Sequence, residues 1–104
     1  MKTAELSGTA LDWAVAKCEC VDEDECLYVV KKDGWKPSTD WSQGGPIIER
    51  EKIALYLNGD DEWSAEDGWK RALGETPLIA AMRCYVAIKL GDEVDIPSEL
   101  LEVA

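Results

Sequence analysis

Apolar residues recur at Leu11, Ala14, Val15 and Cys18, the i, i+3, i+4 and i+7 positions of one helical face. The spacing predicts a helix from Gly8 to Glu19. Ser7 or Thr9 can cap it, and Thr9 with Asp12 makes a weak capping-box match. The run Asp22-Glu23-Asp24-Glu25 places like charges side by side and reads as a solvated loop. Leu27-Tyr28-Val29-Val30 is short, aromatic and β-branched, which predicts a strand. Residues 33–46 are dense in Gly, Pro, Ser and Asp and predict turns and loop, with Pro46 at the first position of a short helix over Ile47 to Glu51.

Ile53, Leu55 and Leu57 alternate on one face of a second predicted strand. Asn58-Gly59 suggests a two-residue hairpin turn, but that register would set Asp60, Glu62 and Ser64 opposite the apolar face. A loop over 58–62 instead pairs Trp63 with Leu57 and Ala65 with Leu55. The second major helix spans 77–90, with Thr76 as N-cap, Pro77 at the first position and Gly91 at the end. Only Arg83 and Lys89 are charged between those ends, so the helix is enclosed by the domain or covered by another subunit. Ile96-Pro97-Ser98 opens at most one further helical turn. The pattern as a whole predicts an α+β fold: a single domain over 1–104, with two main helices packed on a short antiparallel sheet.

Composition narrows the chemistry more than the fold. Eleven basic residues against twenty-two acidic ones give a formal charge of −11. Such a field disfavours direct nucleic-acid contact and anionic membranes, because phosphate binding depends on Lys and Arg. It suits solubility, or docking on a basic protein surface, including one that ordinarily holds DNA. Histidine is absent, which removes Ser-His-Asp and Cys-His catalysis and His-containing metal sites. No stretch reaches membrane-span length and no signal-peptide core follows Met1, so a cytoplasmic location is expected. The cysteines, Cys18, Cys20, Cys26 and Cys84, are then expected as reduced thiols. Their spacing is not a usual structural-zinc spacing, and no cofactor is assigned.

Two features carry candidate chemistry. Arg83 falls among Thr76, Ile79, Ala80, Val86, Ala87 and Leu90 on the helical wheel, and a guanidinium in such a stripe needs a carboxylate or carbonyls. Asp40, Glu49 and Glu51 are candidate partners. The arginine either anchors a loop to the core helix or contacts a ligand. The segment Trp35-Lys36-Pro37-Ser38-Thr39-Asp40-Trp41 sets hydroxyls and a carboxylate between two indoles, as a binding pocket would. It reads equally as a packed loop stiffened by Pro37. Carboxylate pairs in so acidic a chain arise by chance, and Gly44-Gly45-Pro46 has neither a Walker lysine nor dinucleotide-motif spacing.

Several longer motifs agree with one family. Asp12-Trp13-Ala14-Val15-Ala16, Pro37-Ser38-Thr39-Asp40-Trp41, Gly45-Pro46-Ile47-Ile48-Glu49-Arg50-Glu51, Thr76-Pro77-Leu78, Ala80 to Val86 and Leu90-Gly91-Asp92-Glu93-Val94 resemble the NinX-like proteins of bacteriophages and prophages. The likeness is weaker over 18–26 and 58–73. It implies a small phage accessory protein with no established catalytic residue to carry over.

Two functional expectations follow. The first is a non-enzymatic module that binds a host or phage protein through its acidic surface, with Trp35, Ser38, Thr39, Asp40, Trp41, Glu49 and Arg83 as candidate binding residues. The second is a small-molecule-binding or hydrolytic site between the 35–50 segment and the Arg83 helix. Self-association as a homodimer through helix 77–90 is a lesser expectation.

Overall fold

Helix α1 of the computed structural model, which describes residues 1–20 and 22–101, runs over Gly8–Glu19 as its spacing predicts. It buries Leu11, Trp13, Ala14, Val15 and Ala16, and with them Asp12. A single 3-10 turn, Thr3–Glu5, precedes it.

The next segment differs from expectation. Residues Glu23–Lys31 form helix α2, so neither the acidic loop nor the strand over Leu27–Val30 is present. Asp22 caps α2 by accepting the Asp24 N–H at 2.9 Å, and acidic residues in a first turn are favoured by the helix dipole. Cys26 and Val30, four residues apart, are buried against α1. Packing of that face outweighs the β-propensity of Tyr28, Val29 and Val30.

Helix α3, Trp41–Glu51, begins five residues before Pro46, the predicted first position, so Pro46 lies inside it rather than at its start. Asp40 is the N-cap, its carboxylate accepting both the Ser42 N–H at 2.9 Å and the Ser42 hydroxyl at 2.6 Å. Pro46 deprives only the carbonyl of Ser42 of an intrahelical partner. Both residues are exposed, so water can replace the missing bond.

Strands β1 (Ala54–Asn58), β2 (Glu62–Asp67) and β3 (Lys70–Gly74) form an antiparallel meander in the order β1-β2-β3. Leu57 pairs with Trp63 and Leu55 with Ala65, the register that the apolar pattern predicts, and the ladder runs one pair further to Asn58 and Glu62. Gly68 at φ 64 opens the tight β2–β3 turn, where a II′ turn takes glycine.

Helix α4, Pro77–Leu90, is capped by Thr76, whose hydroxyl accepts the Ile79 N–H at 3.1 Å, and ends at Gly91 with φ 93. One side lies on β2 and β3, and the other meets α1 and α3. The molecule encloses this helix, with Leu78, Ala80, Ala81, Met82, Cys84, Tyr85 and Val86 all buried. Gly74 makes the close approach possible: a Cβ there would lie 2.5 Å from the Ala80 nitrogen. Ser98–Leu101 forms the short helix α5. The N-terminal segment pairs with residues after α4, Thr3 N–H donating to the Asp92 carbonyl at 2.8 Å and its hydroxyl to the Gly91 carbonyl at 2.7 Å. The fold is a small α+β domain in which α4 covers one face of the sheet and α1 and α3 pack on α4.

Candidate functional site

The segment between α2 and α3 is an ordered loop. Trp35 N–H donates to the Val29 carbonyl at 3.0 Å, and Lys36 N–H donates to the Gln43 side-chain oxygen at 2.7 Å. Ser38 N–H donates to Asp12 Oδ1 at 2.9 Å, and the Thr39 and Asp40 amides both return to the Lys36 carbonyl. Pro37 packs on α3 so closely that a Cβ on Gly44 would lie 2.3 Å from its carbonyl oxygen. Pro37 and Ser38 are buried.

Asp12 is the unexpected member of this clamp. Burial pushes its carboxyl pKa up, against the opposing pull of its Ser38 hydrogen bonding and the more distant Lys36 charge. The Ser38 hydroxyl lies beside the same carboxylate without reaching hydrogen-bonding geometry. A carboxylate between Leu11 and Trp13 in an apolar helix was the available signal, the same one that singles out Arg83.

What the loop leaves exposed is specific. Trp41 is 54% exposed, its ring lying back over Gly45, where a Cβ would stand 3.9 Å from Cε3. Trp35 is half-buried and borders a cavity of about 250 Å³ with Val29, Cys20, Asp33 and Gln43. Thr39 and Lys36 are exposed.

The remaining candidate residues do not assemble here. Asp40 caps the start of α3, and Glu49 lies nine residues on, about 13 Å along the helix axis. Glu49 is exposed. Arg83 meets neither them nor Glu51: its Nε donates to the Leu6 carbonyl at 2.8 Å and its NH1 to the Leu73 carbonyl at 2.9 Å. It joins the segment entering α1 to the end of β3, and burial lowers its pKa, with Glu75 acting weakly the other way. The carbonyls, rather than a carboxylate, satisfy the guanidinium. No residue of the 35–50 segment borders the cavity that Arg83 lines.

A second polar cluster escaped the sequence reading because its members come from three helices. Arg50 holds Glu19 by two parallel bonds of 3.0 Å, Tyr85 donates its hydroxyl to Glu19 Oε2 at 2.6 Å, and Arg50 also reaches the Tyr85 oxygen at 3.0 Å. Burial alone would raise the Glu19 pKa, but Arg50 and Tyr85 overcome it and hold the group below its usual value. The network binds the end of α1 to α3 and α4.

The thiols of Cys18, Cys26 and Cys84 are not activated. Burial pushes Cys18 up to about 12, and Cys26 and Cys84 up to about 11 each, far from the thiolate state at neutral pH. Among the described residues no group of three or more Cys, Asp and Glu is arranged to hold a metal ion. None of the described helices is long and apolar enough to cross a membrane.

No curated protein matches the chain significantly. Residues 2–89 match the family model described as bacteriophage P22, NinX. Two segments that carry the earlier resemblance, Asp12–Ala16 and Pro37–Trp41, meet through the Asp12–Ser38 bond, so the motifs describe one structural unit. The match spans most of the sequence and includes every main element of the fold, and the chain belongs to the bacteriophage P22 NinX family.

Proposed function

We propose that this phage accessory protein acts by binding another protein, of the phage or of its host, through the loop over residues 35–41, without chemistry of its own. The observation that supports the reading is the ordering of that loop in advance. Its backbone is held by Asp12, Gln43 and the Val29 carbonyl, while Trp41 stays 54% exposed. A large aromatic on a rigid loop adds contact area with little loss of conformational freedom on binding, the property of an interface anchor. The cavity beside Trp35, of about 250 Å³, has room for about one partner side chain. The charge of −11 favours a basic partner and speeds its approach.

The test is retention from infected-cell lysate on immobilised protein at physiological salt. Trp41→Ala is compared with Tyr56→Ala, an aromatic of similar exposure on the outer face of the sheet. The expected result is a defined partner whose retention falls about tenfold with Trp41→Ala and is unchanged with Tyr56→Ala. Absence of a partner, or equal retention by both variants, overturns the reading.

A further inference from the structure

The two edges of the sheet differ. The β2–β3 turn has two residues, Gly68 and Trp69, so Asp67 and Lys70 form a hydrogen-bonded pair. By the alternation of an antiparallel ladder, Ala65–Ala72 and Trp63–Gly74 are the next such pairs. Leu73 therefore turns its carbonyl away from β2, where Arg83 takes it at 2.9 Å and bridges it to the Leu6 carbonyl. The β3 edge thus carries devices that discourage strand addition: a bridged carbonyl and the charges of Lys70 and Arg71.

The β1 edge has no such protection. Glu62, Ser64 and Glu66 are the β2 residues left to bond with β1, so Asn58, Tyr56 and Ala54 turn their backbone groups inward. Leu55 and Leu57 turn theirs outward, and among the described residues their amides and carbonyls have no hydrogen-bond partner. The strand reads Ala-Leu-Tyr-Leu-Asn, without charge, proline or bulge, in a chain that is 32% charged. Such an edge is a template for pairing. Leu57, 59% exposed, lies on the α4 side in line with Trp63 and Gly74. Tyr56, 52% exposed, lies on the outer side in line with Ser64 and Leu73.

We infer that β1 pairs antiparallel with β1 of a second copy of this chain, about a two-fold axis at Tyr56, so that the two sheets become one. This register sets Leu55 against Leu57 of the second copy and Leu57 against its Leu55. Each of these pairs exchanges two backbone bonds, so both outward residues are used in full. The two Tyr56 rings meet at the closer, non-hydrogen-bonded position on the outer face, an aromatic cross-strand pair. A shift of two residues either way brings in Ile53, whose amide is given to the Ile48 carbonyl at 3.1 Å, or Gly59, which leaves the strand at φ 81.

The ends of the strand also suit a second copy. Lys52, exposed and without an ion pair among the described residues, precedes β1, and the exposed Asp60 and Asp61 follow it. Antiparallel pairing brings each Lys52 toward the Asp60 end of the other copy. No like charges of the two strands face each other, because β1 has none. The repulsion between two chains of charge −11 is screened beyond about 8 Å at physiological salt. This surface is separate from the Trp41 loop and does not rest on that loop binding anything.

One shared strand pair buries less than about 1,200 Å², which places the contact in the weak, transient class. The full chain is therefore followed by sedimentation equilibrium at physiological salt up to about 1 mM. Its mass is expected to rise from 11.5 kDa toward twice that value and no further, because a two-fold contact closes. Hydrogen exchange at the Leu55 and Leu57 amides should slow as concentration rises, and that at Arg71 and Leu73 should not. Leu57→Pro removes an outward amide that bonds nothing within the chain, and Leu57→Lys adds the charge that edge strands use for protection. Each should weaken association at least about tenfold, the second although it lowers the mutual repulsion. At the low density of the retention test the chain stays monomeric, so Tyr56→Ala leaves retention unchanged there. A constant mass of 11.5 kDa, growth beyond the dimer, or association undiminished in both variants overturns the inference. Concentration-dependent protection at Arg71 and Leu73 instead overturns it too. So does protection of Leu55 and Leu57 only by a different protein, which would give the edge to that partner.

Discussion

Asp12 Oδ1 accepts the Ser38 N–H at 2.9 Å, so a carboxylate in the middle of α1 fixes the loop that leads into α3. The two residues are twenty-six positions apart and both are buried. A buried amide without a partner costs about 1–3 kcal/mol. Asp12→Ala should therefore destabilise the fold by about that much, whereas Asp12→Asn, which keeps an acceptor oxygen, should change stability by less than about 1 kcal/mol. Urea unfolding of the two variants at neutral pH checks the difference.

The same carboxylate has a pH signature. Burial, the largest influence, raises its pKa in the folded state above the ordinary value of 3.8. A raised pKa means the folded state holds the proton more tightly. The stabilising contribution is complete below the unfolded value and is lost as pH rises through the folded one. Glu19 behaves oppositely. Its folded pKa is below the ordinary value of 4.5, so its contribution is present above that value and is lost as pH falls through the folded one. Stability profiles between pH 3 and 7 should show Asp12→Asn removing a gain toward acid and Glu19→Gln removing a loss toward acid.

Tyr85→Phe deletes the hydroxyl that donates to Glu19 and receives Arg50. Hydrogen bonds to charged groups contribute about 1.5–3 kcal/mol, and the partial exposure of this cluster places the expected loss near the lower end, about 1.5 kcal/mol. Combining Tyr85→Phe with Glu19→Gln should cost less than the sum of the two, since both break one network. A double-mutant cycle in urea measures that coupling.

Two adjacent glycines should respond in opposite directions. A Cβ at Gly44 would stand 2.3 Å from the Pro37 carbonyl and 2.7 Å from Leu78 Cδ2, so Gly44→Ala must push the loop off α3 and destabilise by about 1–3 kcal/mol. At Gly45 the nearest atom is Trp41 Cε3 at 3.9 Å, an ordinary contact, and Gly45→Ala should stabilise α3 by about 0.5–1 kcal/mol. Thermal unfolding of the pair distinguishes these signs.

Lys52 ends α3 in the left-handed region, at φ 56 and ψ 46. Glycine adopts that conformation without a Cβ penalty, and Lys52→Gly should stabilise the protein by about 0.5–1 kcal/mol. The midpoint of urea unfolding should rise with no change in its slope.

Elements with local signals were legible before the structure. Thr76, Pro77 and Gly91 mark the two ends of α4, and the alternation of Ile53, Leu55 and Leu57 against Trp63 and Ala65 sets the sheet register. The segment over 22–51 was misread where local and tertiary preferences conflict. The β-branched run at Val29 and Val30 becomes helical because Cys26 and Val30 pack on α1, and α3 carries Pro46 in its interior because Asp40 caps it upstream. The buried face of α2 and the capping carboxylate of α3 outweigh propensities worth less than about 1 kcal/mol per ordinary residue.

The sequence by itself determined the chain's family, its α+β class, its acidity and the exclusion of histidine chemistry, because these rest on composition, periodicity and motif order. It marked Arg83 as a charge that must be satisfied and the 35–41 loop as a surface of interest. Only the tertiary structure decided what each does. The carbonyls of Leu6 and Leu73, distant in sequence, take Arg83 to the edge of β3, and Asp12 on another helix takes up the Ser38 amide. Such pairings depend on which elements come to lie side by side, and side-chain spacing along one element carries no record of its neighbours across space.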